Sequence, residues 1–261
     1  MHIHFYKYQG TGNDFIILDN RENMHNTIDA ALIKKLCDRH FGIGADGLMI
    51  LNTSTEFDFD MKYFNSDGNE STMCGNGGRC MAIFAKDLGI IENHTTFHAI
   101  DGKHEASIRQ QGEVELKMSD INSILIKETY FQLNSGSPHY VHFTENVAEM
   151  DIKKEGALIR NSPVYKEDGI NVNFVERLAD KSLFVRTYER GVEDETLSCG
   201  TGVVACAISS VQDQIGSHEI TVKTLGGSLL VKCTNIDGQH FNQISLSGQA
   251  GSVFNGVFRI V

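Results

Sequence analysis

The stretches Glu70-Ser71-Thr72-Met73-Cys74-Gly75-Asn76-Gly77 and Glu195-Thr196-Leu197-Ser198-Cys199-Gly200-Thr201-Gly202 match at Glu, Cys and both glycines, at an offset of 125 residues (74 to 199). The same offset carries Asp101-Gly102, in a hairpin-like turn, onto Gly226-Gly227, and Gly44 onto Gly169. At an offset of 124, Gly12-Asn13-Asp14-Phe15 falls on Gly136-Ser137-Pro138-His139. Correspondences in one order at one spacing mark an internal duplication. The chain therefore reads as a doubled α+β unit with its break near 119–127, where strand-like Glu113–Met118 gives way to Ser-Asp-Ile-Asn-Ser. Residues 120–250 form the second half, and the last eleven, Gly251 to Val261, form a tail that reads as a strand from Val257.

Composition narrows the class of partner. With 23 Lys and Arg against 34 Asp and Glu, the 261-residue chain carries a formal charge of −11 and has no basic run. Nucleic-acid and anionic-membrane binding both require phosphates to be neutralised, so neither is expected, and a small molecule or a second copy of the chain is the expected partner. The start, Met1-His2-Ile3-His4-Phe5-Tyr6, has no charged and apolar leader pattern, and the longest apolar run is Val203 to Ile208. A cytoplasmic protein is expected, with its six cysteines as thiols.

Periodicity predicts strands at Asp14–Leu18, Gly47–Leu51 and Phe57–Tyr63, and hairpins over 95–118 and 218–233. It predicts helices over Ile28–His40, about 76–88 and about 201–215. Each Cys-Gly-x-Gly thus lies between a strand and a helix start. There the first-turn N–H groups and the helix dipole lower a thiol's pKa and attract a carboxylate, while the glycines admit a ligand close to the backbone. A single such turn reads as a buried cysteine capping a loop. Two, related by duplication, would present two thiols to opposite faces of one carbon, the arrangement for removing a proton from one side and adding one on the other. Backbone donors would stabilise the carboxylate as it gains enolate-like charge.

The segments Gly12-Asn13-Asp14-Phe15, Phe64-Asn65-Ser66-Asp67-Gly68, Met73-Cys74-Gly75-Asn76-Gly77-Gly78-Arg79-Cys80, Gly136-Ser137-Pro138-His139, Tyr188-Glu189-Arg190-Gly191 and Cys199-Gly200-Thr201-Gly202 resemble the diaminopimelate epimerases, from residue 12 to about 230. The resemblance implies a pyridoxal-phosphate-independent enzyme without cofactor that interconverts LL- and meso-2,6-diaminopimelate for lysine and peptidoglycan synthesis. It implies two pseudo-symmetric domains, 1–119 with 251–261 and 120–250, each a strongly curved, mostly antiparallel sheet around a central helix, with the site in the cleft and a homodimer common. It assigns Cys74 and Cys199 as the acid–base pair. Gly75, Asn76, Gly200 and Thr201 become carboxylate-binding positions, and Asn13, Asn65, Asn171, Glu189 and Arg190 hold the rest of the substrate. His139 and Glu189 are also assigned to tuning the thiols. Ser137 stands where many members have Asn, so a contact there would run through water, and Gly47 stands where many have Gln.

Other readings compete. A proline or hydroxyproline racemase also uses paired cysteines, but a compact substrate leaves Asn65, Asn171, Glu189 and Arg190 without purpose. A dithiol redox protein would be expected to carry Cys-x-x-Cys, which is absent. An anion-binding module explains the helix starts and not the cysteines. Cys37, Cys80, Cys206 and Cys233 read as core, Arg79 as a structural hydrogen-bonding group, and His2 and His4 as surface groups. Cys74 and Cys80 have the wrong spacing for zinc, so no metal is expected. Gly10-Thr11-Gly12-Asn13 leads into a strand and is no dinucleotide fingerprint.

Overall fold

A computed structural model describes residues 2–260 of the chain. It divides into two compact units, Met1–Leu116 with Gly248–Val261, and Lys117–Ser247. Each is a mostly antiparallel sheet with one apolar helix packed against several of its strands, an α+β architecture.

In the first unit, strands His2–Gly10 and Asn13–Asp19 pair antiparallel. The latter runs parallel to Gly47–Asn52 across helix α1 (Ala30–Cys37). Phe59–Asn65 pairs with Gly47–Asn52 and, beyond helix α2 (Gly75–Asp87), lies parallel to the hairpin strand His94–Ala99. The second unit repeats that order with Phe131–Asn134, Pro138–Phe143, helix α3 (Ile152–Arg160), Asn171–Arg177, Leu183–Glu189, helix α4 (Gly200–Ser210) and the hairpin Gly216–Thr224/Gly227–Asn235. The registers repeat too. Phe15 opposite Gly47 recurs as His139 opposite Asn171, an offset of 124, and Ala99 opposite Gly102 recurs as Thr224 opposite Gly227, an offset of 125. In the first unit the end of the strand Phe241–Arg259 runs antiparallel to His2–Gly10, with Arg259 against His2. The strand is longer than the tail suggested, and Val261 lies outside the described residues.

The two central helices are apolar because each is covered on many sides. Gly75 through Ala85 are all buried in α2, which packs against His2–Gly10, Asn13–Asp19, Gly47–Asn52 and Gly102–Ile108. Helix α4 sends Val203, Val204, Ala207 and Ile208 into a cluster with Val141, Val175, Val185, Val222 and Val231. Burying one such aliphatic side chain contributes about 1.5–3 kcal/mol.

Three helix ends differ from the periodic reading for local reasons. α1 starts at Ala30, two residues late, because the Asp29 carboxylate accepts from Leu32 N–H at 2.8 Å as its N-cap. It stops before Asp38, whose carboxylate takes the N–H groups of His40 and Phe41 at 2.7 and 2.8 Å. α4 stops at Ser210 instead of about 215. The Ser209 and Ser210 hydroxyls donate back to Ala205 and Ala207 carbonyls, and the buried Asn235 amide takes the carbonyls of Val211, Gln212 and Gln214 that a longer helix would use. Helix α3, absent from the periodic reading, has Ile152 and Gly156 buried, with Ala157 and Ile159 half-buried against the same cluster. Gly156 sits there because a Cβ would lie 2.3 Å from Tyr188 Cβ.

Among the described residues no helix is long and apolar enough to cross a membrane.

Candidate active site

Both Cys-Gly-x-Gly turns cap a helix. Cys74 is the N-cap of α2, with extended backbone (φ −97°, ψ 148°), and its Sγ accepts from Gly77 N–H at 3.2 Å. Cys199 occupies the same place on α4 (φ −113°, ψ 110°), and its Sγ lies 3.6 Å from Thr201 Oγ1. The first turn of a helix presents N–H groups that its own carbonyls do not serve. Gly75 and Asn76 open α2, and Gly200 and Thr201 open α4.

Around Cys74 the first unit gathers amides. Asn76 Nδ2 donates to Asn13 Oδ1 at 3.2 Å, and Asn13 Nδ2 donates to Asp46 Oδ2 at 2.6 Å. Arg79 is fully buried, and its guanidinium donates to Gly75 O, Asn76 Oδ1 and Thr11 Oγ1. Burial pushes its pKa down to about 10. Asn65 is half-buried at the end of its strand, directly opposite Gly47.

The second unit gathers a different set. Asn171 Oδ1 accepts the Arg190 N–H at 2.9 Å, while its Nδ2 donates to Ser137 Oγ at 2.9 Å and Pro138 O at 3.0 Å. Arg190 donates from Nη1 to Asp168 O at 3.0 Å and from Nη2 to Ser137 Oγ at 3.4 Å. Ser137 thus bridges Asn171 and Arg190 instead of standing apart. Glu189 accepts from Thr196 Oγ1 at 2.8 Å. His139 Nε2 is 2.9 Å from Thr201 Oγ1, which ties the imidazole to the helix start beside Cys199.

The profile of the family described as diaminopimelate epimerase matches residues 5–124 and 131–251. The chain belongs to the diaminopimelate epimerase family. A relative from Flavobacterium psychrophilum named diaminopimelate epimerase is 52% identical over 250 residues, covering 95% of this chain and 97% of its own. Another of that name, from Chlorobaculum tepidum, is 40% identical over 259 residues, covering 96% and 99%. Among solved structures, a Bacillus anthracis phenazine biosynthesis protein of the PhzF family superposes with a TM-score of 0.78 at 15% identity, with full coverage of both chains. A hydroxyproline epimerase from Agrobacterium vitis gives 0.71 at 12% identity, covering 98% of this chain and 92% of that one. At such identities the likeness is one of fold.

Against the family pattern, Gly47 has a steric cause. A Cβ there would lie 2.6 Å from the Tyr63 ring and 2.7 Å from the Phe64 carbonyl oxygen, so Tyr63 fills the space a side chain at 47 would need. Gly47→Ala is expected to cost about 1–3 kcal/mol by overpacking. Urea denaturation checks it, and an unchanged midpoint would show that Tyr63 yields freely.

His139 is fully buried, and burial, with the charge of Arg190 added, pushes its pKa down to about 3. The imidazole is therefore neutral in the folded protein across the ordinary pH range. The unfolded chain has a His pKa of about 6.5 and takes up that proton first, so stability is lost as pH falls from about 6.5 toward 3. His139→Gln is expected to flatten the fall in stability across that window, measured by denaturation at stepped pH. A slope as steep as in the parent would assign the loss to other groups.

Sequence reasoning missed Asn173 and Thr187, both buried in unit two. Two asparagines interrupting the apolar strand Asn171-Val172-Asn173-Phe174-Val175 were the available signal. Among the described residues no three His, Cys, Asp or Glu side chains gather as metal ligands. All six cysteines are thiols and none is in a disulfide, and burial raises the pKa of Cys80 and Cys206, leaving both as packed thiols.

Proposed function

We propose that this chain interconverts LL- and meso-2,6-diaminopimelate without pyridoxal phosphate, with Cys74 and Cys199 as the two acid–base groups. The observation that carries the reading is the repeated half-site: in each unit a cysteine caps the central helix, beside a glycine-bearing first turn. A thiolate removes the α-proton, the other thiol delivers a proton to the opposite face, and the reverse reaction exchanges the roles. The first-turn N–H groups at Gly75, Asn76, Gly200 and Thr201 receive the adjacent carboxylate as it acquires enolate-like charge.

The second unit also offers what a distal amino-acid end needs. Arg190 binds a carboxylate through its guanidinium, already steered by Asp168 O and Ser137 Oγ. Glu189 accepts from an ammonium, and Asn13, Asn65 and Asn171 complete the polar set. A compact imino acid would leave these groups idle, which favours diaminopimelate over proline. The reading includes a cytoplasmic biosynthetic role, supplying lysine and peptidoglycan precursors, and a homodimeric enzyme.

The test is incubation of LL-diaminopimelate with the purified protein in D2O without added cofactor. Meso product carrying deuterium at the inverted carbon is the expected result. Inversion of proline instead, or no inversion of either substrate, would overturn the assignment.

A further inference from the structure

Asn173 is completely buried, and all its amide hydrogen-bonding groups are engaged within the second unit. Nδ2 donates to the Tyr140 carbonyl at 2.9 Å and to His139 Nδ1 at 3.1 Å, while Oδ1 accepts from Thr187 Oγ1 at 2.9 Å. The amide has one admissible orientation. A backbone carbonyl only accepts, so the NH2 must face Tyr140, and its second hydrogen then points at the imidazole. His139 Nδ1 is thereby an acceptor, so the ring hydrogen of the neutral imidazole sits on Nε2 and is donated to Thr201 Oγ1 at 2.9 Å. With one lone pair taken, the Thr201 hydroxyl hydrogen is left to turn toward Cys199 Sγ, 3.6 Å away.

The duplication shows that the fold does not require this chain of groups. At the repeat offset, His139, Asn173, Thr187 and Thr201 stand where the first unit has Phe15, Met49, Tyr63 and Asn76. A Cβ on Gly77 would meet Met49 Sδ at 3.1 Å, as one on Gly202 would meet Asn173 Oδ1 at 2.5 Å, so the two sites are built alike. Around Cys74 that place is filled by sulfur and aromatic carbon. Around Cys199 the places of Phe15, Met49 and Tyr63 hold three neutral polar side chains, His139, Asn173 and Thr187, in series with Thr201.

We infer that Asn173, held by Thr187, is a positioning residue that fixes the His139 tautomer and so turns the Thr201 hydroxyl onto the Cys199 sulfur as a donor. No proton moves along the series. Each hydrogen stays on its own atom, and orientation is what passes from Asn173 to the thiolate. Hydrogen bonding to the charged form favours it. The two thiols of the proposed pair are thus served differently, Cys74 by a backbone N–H and Cys199 by a hydroxyl set from behind. This inference rests on the two-cysteine reading for its catalytic meaning, but not for its chemistry.

The first measurement is 15N–1H NMR of the histidine rings in the unmodified protein, with the His139 signal assigned from its loss in His139→Gln. The proton is expected on Nε2 between pH 6 and 8, and a proton on Nδ1 or on both nitrogens overturns the inference. The second is the pH profile of iodoacetamide modification of Cys199, followed by mass spectrometry with Cys74 as internal reference. Asn173→Asp, which offers His139 Nδ1 an acceptor in place of a donor, is expected to slow modification of Cys199 at neutral pH about tenfold, with Cys74 unchanged. Thr201→Val should match it, and Thr201→Ser should restore the parent profile. Parent rates at Cys199 in both Asn173→Asp and Thr201→Val would overturn it. Neither readout uses substrate, so a Cys199→Ala protein that still epimerises would remove the two-cysteine mechanism while leaving this assignment intact.

Discussion

Cys74→Ala and Cys199→Ala are each expected to lower diaminopimelate epimerisation by about 10²- to 10⁴-fold or more, the usual contribution of a positioned acid or base. Each thiol is the sole side chain of its type at its helix start: Cys80 and Cys206 are buried further along α2 and α4, with pKa values raised by burial, and cannot substitute. The two losses should not multiply. Inversion needs a proton removed on one face and delivered on the other, so the double variant should be about as slow as either single one. Initial rates of LL-to-meso conversion by chiral chromatography measure this, and circular dichroism checks the fold. Near-normal turnover by either single variant would eliminate a two-base mechanism. Additive losses on a logarithmic scale would instead indicate two groups acting in separate steps.

Arg190→Met is expected to raise KM for diaminopimelate by about 10²-fold, the scale of removing one partner from a hydrogen-bonded charge pair that the bound substrate itself covers from water. The unfolding temperature should change little, because the guanidinium is exposed and its fixed partners are a carbonyl and a hydroxyl. Its stem passes over Gly169, where a Cβ would lie 2.6 Å from Arg190 Cδ, so the backbone itself is shaped to carry this side chain toward Ser137. Arg190→Lys should recover only part of the loss, since an ammonium keeps the charge and not the two-pronged geometry. An unchanged KM in Arg190→Met would take the distal carboxylate away from this residue.

The positions legible in the sequence were those where chemistry and backbone constrain each other. Cys74 and Cys199 could be found because a cysteine before Gly-x-Gly at a helix start is unusual, and its repetition at one offset more so. The central helices were legible because α2 carries Met81, Phe84 and Ala85 in helical phase and α4 is apolar nearly all round. Helix α3 was not, since it is short and mostly polar, with a Gly in its middle and Ile152 and Gly156 as its buried residues. Asn173 and Thr187 were passed over for a related reason. On a strand buried on both faces, a polar residue looks like an exception until its partner across the sheet is known, and that partner lies 14 residues away.

The sequence by itself determined the duplication, the α+β class, the two helix-capping cysteines and the family, because each is encoded locally or in a fixed spacing. Tertiary structure decided which copy of the repeat is polar. At matched places one unit buries Phe15 and Met49 and the other buries His139 and Asn173. Both are compatible with the same strand pairing. What distinguishes them is whether a buried donor finds its acceptor, and Asn173 finds Tyr140 O, His139 and Thr187 because the strands paired on either side of its own bring them within 3.1 Å.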